Sequence, residues 1–210
     1  MKKTQNKYIL VWVGFIATIG SSWVGLVVLP VLNLGQLNAV SAQVTAGMGA
    51  IQAQSEIDLG REVYVANGCM YCHSQQVRPE YAGSDQELGW GNRRTMPADY
   101  LNDKVALMGT MRTGPDLSNI GIRQPSDDWH LLHLYNPQIT SKGSVMPPYA
   151  FLFTKQKVGT SPSPGALQLS GEYAIEPGYE IVPTPEVLAL VEYLKSLQKS
   201  RTNSTNTPSP

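Results

Sequence analysis

The sequence predicts a mainly α protein: a single N-terminal transmembrane helix followed by one small helical domain with long loops. Three observations predict it. Residues 8–29 carry no charge. Two later stretches, beginning at Ser55 and Thr184, place apolar residues at helical spacing, and no stretch shows a clear strand pattern. Glycine (19) and proline (15) together make up about one residue in six of 210, so loops must be plentiful.

The uncharged segment, YILVWVGFIATIGSSWVGLVVL, has 22 residues. At about 1.5 Å per residue a helix of that length crosses the roughly 30 Å core of a bilayer. Tyr8 and Trp12 stand near one end, where amphipathic rings favour the interface. Lys2, Lys3 and Lys7 precede the span, and no further Lys or Arg occurs until Arg61. The positive-inside rule then puts the N-terminus in the cytoplasm and the remaining chain outside the cytoplasmic (inner) membrane. A cleaved signal peptide is the competing reading, with Val40-Ser41-Ala42 as small residues at a cleavage site. The apolar run is longer than the usual signal core, which favours an uncleaved, single-pass anchor.

The remaining organisation follows in order. Residues 1–7 form a cytoplasmic tip, 8–29 the anchor, 30–54 a polar tether, 55–199 the folded domain and 200–210 a flexible tail. A first helix is expected from Ser55, with Asp58 as its capping-box partner and Leu59, Val63 and Ala66 on one face. Residues 74–104 read as loop, and 112–125 hold Gly-Pro and Gln-Pro breakers. A short helix follows over Ser126–Tyr135, stopped before Pro137. Residues 154–183 are again rich in Gly, Pro and Ser. Thr184-Pro185-Glu186 is a helix start, and Val187, Leu190, Val191, Leu194 and Leu197 continue it as an apolar stripe beside Tyr193.

Basic and acidic residues balance at 16 each. Setting aside Lys2, Lys3 and Lys7 leaves 13 basic against 16 acidic, a net of −3 beyond the N-terminus. With no basic run, nothing points to nucleic acid.

The only two cysteines are Cys69 and Cys72, and His73 follows directly. Cys-x-x-Cys-His is the attachment pattern of one covalently bound heme c: two thiols add across two vinyl groups, and the adjacent histidine reaches the iron. A structural zinc site would need four ligands, and the only other histidines, His130 and His133, lie far along the chain. A redox pair lacks its βαβ context. A disulfide between cysteines three apart is strained.

An electron carrier usually holds its iron from both faces. Candidates for the sixth ligand are Met96, Met108, Met111, Met146, His130 and His133. Met146 is favoured, because Gly143-Ser144-Val145 before it and Pro147-Pro148 after it make a rigid, irregular segment. Met96, Met108 and Met111 read as packing residues, and the two histidines as hydrogen-bonded wall residues, with bis-histidine ligation the alternative. The run Arg112-Thr113-Gly114-Pro115-Asp116-Leu117 places Pro115 to offer its carbonyl to the imidazole N–H of His73. Arg112 and Arg123 are candidates to pair with heme propionates, Trp90 and Trp129 to cover heme edges, and Tyr149 to join the pocket just past Met146.

These residues carry a resemblance. GREVYVANGCMYCHSQQVRPE (60–80), LMGTMRTGPDLSNIGIRQPSDDWHLLHLYNPQ (107–138) and GSVMPPYAFLF (143–153) resemble the monoheme membrane-anchored subunit II of cbb(3)-type cytochrome c oxidases. The wider likeness is to a class I cytochrome c domain, in which Gly60 and Tyr64 would meet Tyr193 and Leu194. The resemblance implies that Cys69 and Cys72 hold the heme and that His73 and Met146 ligate its iron. It also implies a non-catalytic electron-relay subunit of a respiratory terminal oxidase. Its partners would be a polytopic heme-copper catalytic subunit, a cytochrome c donor or additional cytochrome subunit, and the lipid bilayer. The heme domain would lie on the periplasmic side. Residues 154–183 depart from the family's pattern. The alternatives are an anchored cytochrome subunit of a nitric oxide reductase or other respiratory complex, or an independent anchored electron shuttle.

Overall fold

This computed structural model describes residues 2–35 and 48–200, with side chains described over 7–35 and 54–200. By its packing the chain divides into two units, residues 1–40 with 96–102, and residues 41–95 with 103–210.

In the first unit, α1 (Lys2–Trp23), a π-turn (Val24–Val28) and α2 (Leu29–Leu34) follow one another without a break. The sequence reading ends the span before Pro30, yet helix continues through it. Pro30 has no N–H and its ring crowds the preceding turn. The hydrogen bonding therefore loosens to i→i+5, with Leu29 N–H donating to Val24 O. Lys7–Leu34, 28 residues, is long and apolar enough to cross a membrane. Nearly all its apolar side chains are exposed, the reverse of a helix packed in water: Leu10 is 77% exposed and Leu26 78%. Its polar side chains turn back on the helix itself. Thr18 Oγ1 donates to Gly14 O at 2.8 Å and Asn33 Nδ2 to Leu29 O at 2.7 Å, as hydrocarbon surroundings require.

The second unit is organised by the crossing of α3 (Met48–Ala66) and α7 (Pro185–Ser196). α3 is already formed at Met48, so residues 48–54 are helical rather than tether, and Ser55 lies inside the helix instead of capping it. The buried face also differs from expectation. Leu59 and Ala66 are exposed, and Gly60, Val63 and Tyr64 face inward. Gly60 decides this rotation. A Cβ there would sit 1.9 Å from the Ala189 carbonyl oxygen, so only glycine lets the two helices approach this closely. Beside the contact the Tyr64 and Tyr193 rings pack at 5.4 Å.

On α7 the expected stripe is buried from Val187 to Leu197. Thr184 does not cap it through its side chain, because the hydroxyl donates to Leu152 O at 3.0 Å and ties the helix start to the preceding segment. α4 (Ile120–Arg123) is a single turn within the stretch read as breakers. α5 (Asp127–Tyr135) begins where the sequence places it, with Ser126 Oγ accepting from Trp129 N at 3.3 Å. α6 (Pro137–Thr140) follows at once, and Asn136 Oδ1 accepts from Gln138 N at 3.1 Å.

One expectation fails outright in 154–183. Two strands, β1 (Phe153–Lys157) and β2 (Tyr179–Pro183), pair antiparallel, with Phe153 opposite Pro183 and Lys157 opposite Tyr179. The buried Glu180 fixes the intervening loop by accepting from Ser163 N (2.8 Å), Ser163 Oγ and Gln156 Nε2 (2.9 Å).

Candidate functional site

Beyond α3 the chain turns through Cys69–Tyr71 as one 3-10 turn, with His73 N donating to Cys69 O at 3.0 Å. This turn sets Cys69, Cys72 and His73 on the wall of a cavity of about 590 Å³. That volume lies within the usual range for cofactor sites, about 300–1,000 Å³. Its wall is mostly apolar and is completed by α5, α7 and the 141–149 segment. The two cysteines are not bonded to each other. Burial pushes the Cys69 thiol up to about 11, so it stays neutral.

His73 is held from two sides. Its Nδ1–H donates to the Pro115 carbonyl at 2.7 Å. Gly114 lies flat against the ring, and a Cβ on it would fall 2.2 Å from His73 Cε1. Burial lowers the His73 pKa, against the opposing pull of the Pro115 hydrogen bond. A neutral imidazole with Nδ1 engaged keeps its Nε2 lone pair for a metal. Gly114→Ala should therefore displace the ring. The expected result is a changed ligand-field spectrum of the loaded protein at unchanged far-ultraviolet helicity; an unaltered spectrum would show the ring has room to spare.

Met146 reaches the same cavity from a segment strapped at both ends. Gln138 on α6 takes Gly143 N on its Oε1 at 2.8 Å and gives its Nε2 to Ser144 O at 2.5 Å. Past the prolines, Tyr149 N donates to Leu134 O on α5 at 2.8 Å. These ties, rather than helix or strand, fix where the thioether lies. The other methionine candidates stand elsewhere: Met108 and Met111 are exposed, not packed, and Met96 is exposed too.

The remaining site candidates separate. Pro115, Arg123, Trp129 and Tyr149 all line the cavity. Trp129 stacks on His133 at 4.7 Å, and His133 Nδ1 pairs with Thr140 Oγ1 at 2.5 Å. Burial, with His73 nearby, takes the His133 pKa down to about 4. His130 gives its Nε2–H to Gln124 O at 2.9 Å, as a wall histidine should.

Arg112 and Trp90 are not on the cavity wall. The Arg112 guanidinium is spent inside the chain, on the Asp85 carboxylate, on Gln76 O and on Ser74 Oγ at 2.8 Å. Trp90 lies beneath it, 5.4 Å from ring centroid to guanidinium carbon. Asp85 and Asp116, both buried, were not singled out in the sequence. A lone acid inside the run Pro115-Asp116-Leu117-Ser118-Asn119-Ile120 was the available signal for the second.

The residues present fit a heme. Among the described residues no group of three or more His, Cys, Asp or Glu could hold an ion unaided. The cavity instead offers the imidazoles of His73, His130 and His133, the Met146 thioether and two thiols, a set suited to a group attached through the thiols whose metal brings its own equatorial ligands. Arg123 lines this wall too, and its buried Nε has no hydrogen-bond partner among the described residues.

Comparison with known proteins agrees. A family model described as "Cytochrome C oxidase, mono-heme subunit/FixO" matches residues 8–167, about three-quarters of the chain. No curated protein matches the sequence. The chain belongs to the FixO family: a mainly helical, mono-heme subunit with one N-terminal membrane-spanning helix. It transfers electrons, without catalysis of its own, in a respiratory terminal oxidase complex alongside a heme-copper catalytic subunit and cytochrome donors.

Proposed function

We propose that this FixO-family chain carries a single heme c bound covalently through Cys69 and Cys72, with His73 and Met146 as the axial ligands of its iron. The observation that carries the reading is that one cavity gathers Cys69, Cys72, His73 and Met146 from two segments more than seventy residues apart. Bound heme supplies a one-electron couple. The residues of the chain do the rest. His73 is oriented by Pro115 and Gly114, Met146 by Gln138 and the 147–149 anchor, and the apolar wall keeps water from the metal. Met/His ligation suits a carrier working at high potential. Arg123 receives a propionate, and Trp129 and Tyr149 close the pocket.

The fold that frames the site is read as a class I cytochrome c domain, supported by the Gly60–Tyr193 helix crossing. Lys2, Lys3 and Lys7 ahead of the span favour a cytoplasmic N-terminus, with the domain after the tether on the periplasmic side. The oxidase is of the cbb(3) type, and electrons pass through this chain from a cytochrome donor to the polytopic subunit. No nucleic acid takes part.

The test of the site has two arms. Replacing Cys69 and Cys72 together with Ala should leave heme that extracts completely into acid acetone. Retention equal to the parent would refute covalent attachment. Met146→Leu should abolish the weak sulfur-to-iron band at the red end of the oxidised spectrum. Survival of that band, or its loss on changing His133 instead, would overturn the ligand assignment.

A further inference from the structure

Behind His73 the chain is laced to a facing segment by one acidic residue. Asp116 follows Pro115 and is fully buried. Its Oδ2 accepts from Ser74 Oγ at 2.6 Å and Gln76 N at 2.7 Å, and its Oδ1 accepts from Ser118 N at 2.8 Å. Three donors on two segments thus converge on its two oxygens. Two backbone bonds run alongside: Gly114 N to Cys72 O at 3.0 Å and Leu117 N to Ser74 O at 2.8 Å. Residues 114–117 and 72–76 thus clasp each other, with the His73–Pro115 hydrogen bond between them.

The charges around Asp116 do not cancel evenly. Arg112 stands between two buried carboxylates, and its closer contact is Asp85; its Nη2 lies 3.9 Å from Asp116. Arg123 donates to the Asp116 main-chain carbonyl, not to its carboxylate. A negative charge only partly offset, and shut away from water, therefore lies one residue from the carbonyl that holds the histidine.

We infer that Asp116 is a positioning residue for electron transfer: through Pro115 and His73, its buried carboxylate holds the iron's redox equilibrium toward the oxidised state. The inference rests on His73 as an axial ligand. Oxidation removes one electron from the iron and leaves one more positive charge at the site. A fixed negative charge nearby favours that state, and a carbonyl pinned to Nδ1–H makes the imidazole a stronger donor to it. The electron arrives from the cytochrome donor and leaves to the heme-copper subunit, so no bond is made or broken and no proton need move.

The experiment is a redox titration of the full-length, heme-loaded chain in detergent, followed by heme absorbance. Asp116→Asn keeps one acceptor oxygen and removes the charge. At a fixed potential its reduced-to-oxidised ratio should rise about tenfold, equivalent to about 59 mV for one electron. A ratio within twofold of the parent, or a move toward the oxidised form, overturns the inference. Ser74→Ala decides the matter if the Asn variant fails to fold. It removes one donor from the carboxylate and leaves the charge, so the ratio should fall at least twofold. No change, or a shift toward the reduced form as simple loosening of the clasp would give, overturns the inference as well. A parent protein without covalent heme would instead refute the proposed site, before any titration.

Discussion

Gly60→Ala is expected to destabilise the second unit by about 3 kcal/mol or more. Elsewhere in a helix the same exchange stabilises, by roughly 0.5–1 kcal/mol, because alanine loses less backbone entropy. The sign reverses here because of what the new methyl meets. It would lie 1.9 Å from the Ala189 carbonyl oxygen, 2.5 Å from its carbon and 2.8 Å from Tyr193 Cβ. Two of these are backbone atoms and the third a β-carbon, so no rotamer change relieves the clash. α3 and α7 must separate instead, and the packing of Val63 and Tyr64 against Leu190 and Leu194 opens with them. Since a domain of this size has only about 5–15 kcal/mol in hand, Gly60→Val should leave no folded population at ordinary temperature. Urea unfolding followed by circular dichroism reads both variants, and a stabilised Gly60→Ala protein would show that the crossing tolerates a side chain.

The crossing is only partly legible in the sequence. Gly60 meeting Tyr193 came from resemblance, whereas the periodicity of α3 taken alone put Leu59 and Ala66 on the buried face. Apolarity counts larger residues as core, but a close helix contact selects for the smallest one. The site divides in the same manner. Cys69, Cys72 and His73 are fixed by a local spacing, and the Pro115 contact needs only one neighbouring turn to be right. Met146 is favoured in sequence by the rigid segment around it, but its placement depends on Gln138 and Leu134, whose roles exist only in three dimensions. The β1–β2 pair was missed because each strand has five residues, β1 buries only Phe153, and residues 158–178 separate them. Pairing of that kind has no local signature.

Arg112 shows the opposite error, a residue noticed for the wrong partner. Arg112→Met is expected to cost about 3–5 kcal/mol, the usual result of leaving a buried charge without its counter-ion. Asp85 is 1% exposed, and besides Arg112 it has the Arg78 main-chain N–H at 2.6 Å. Asp116 would lose the same cation, and Ser74 Oγ and Gln76 O would each lose a donor. Lysine should not rescue the loss. Three nitrogens of one planar group reach three acceptors on two segments, and a single ammonium on a flexible stem cannot match that fork. Removing the stranded acid as well should help: Arg112→Met with Asp85→Leu ought to recover part of the stability, because the desolvated charge is gone. The double variant decides between this account and mere loss of packing over Trp90, for which the second change would add damage instead of relieving it. Since Ser74 and Gln76 belong to the segment that clasps Pro115 against His73, the single variant should also disturb the heme spectrum, and the double variant should restore it only as far as that clasp re-forms.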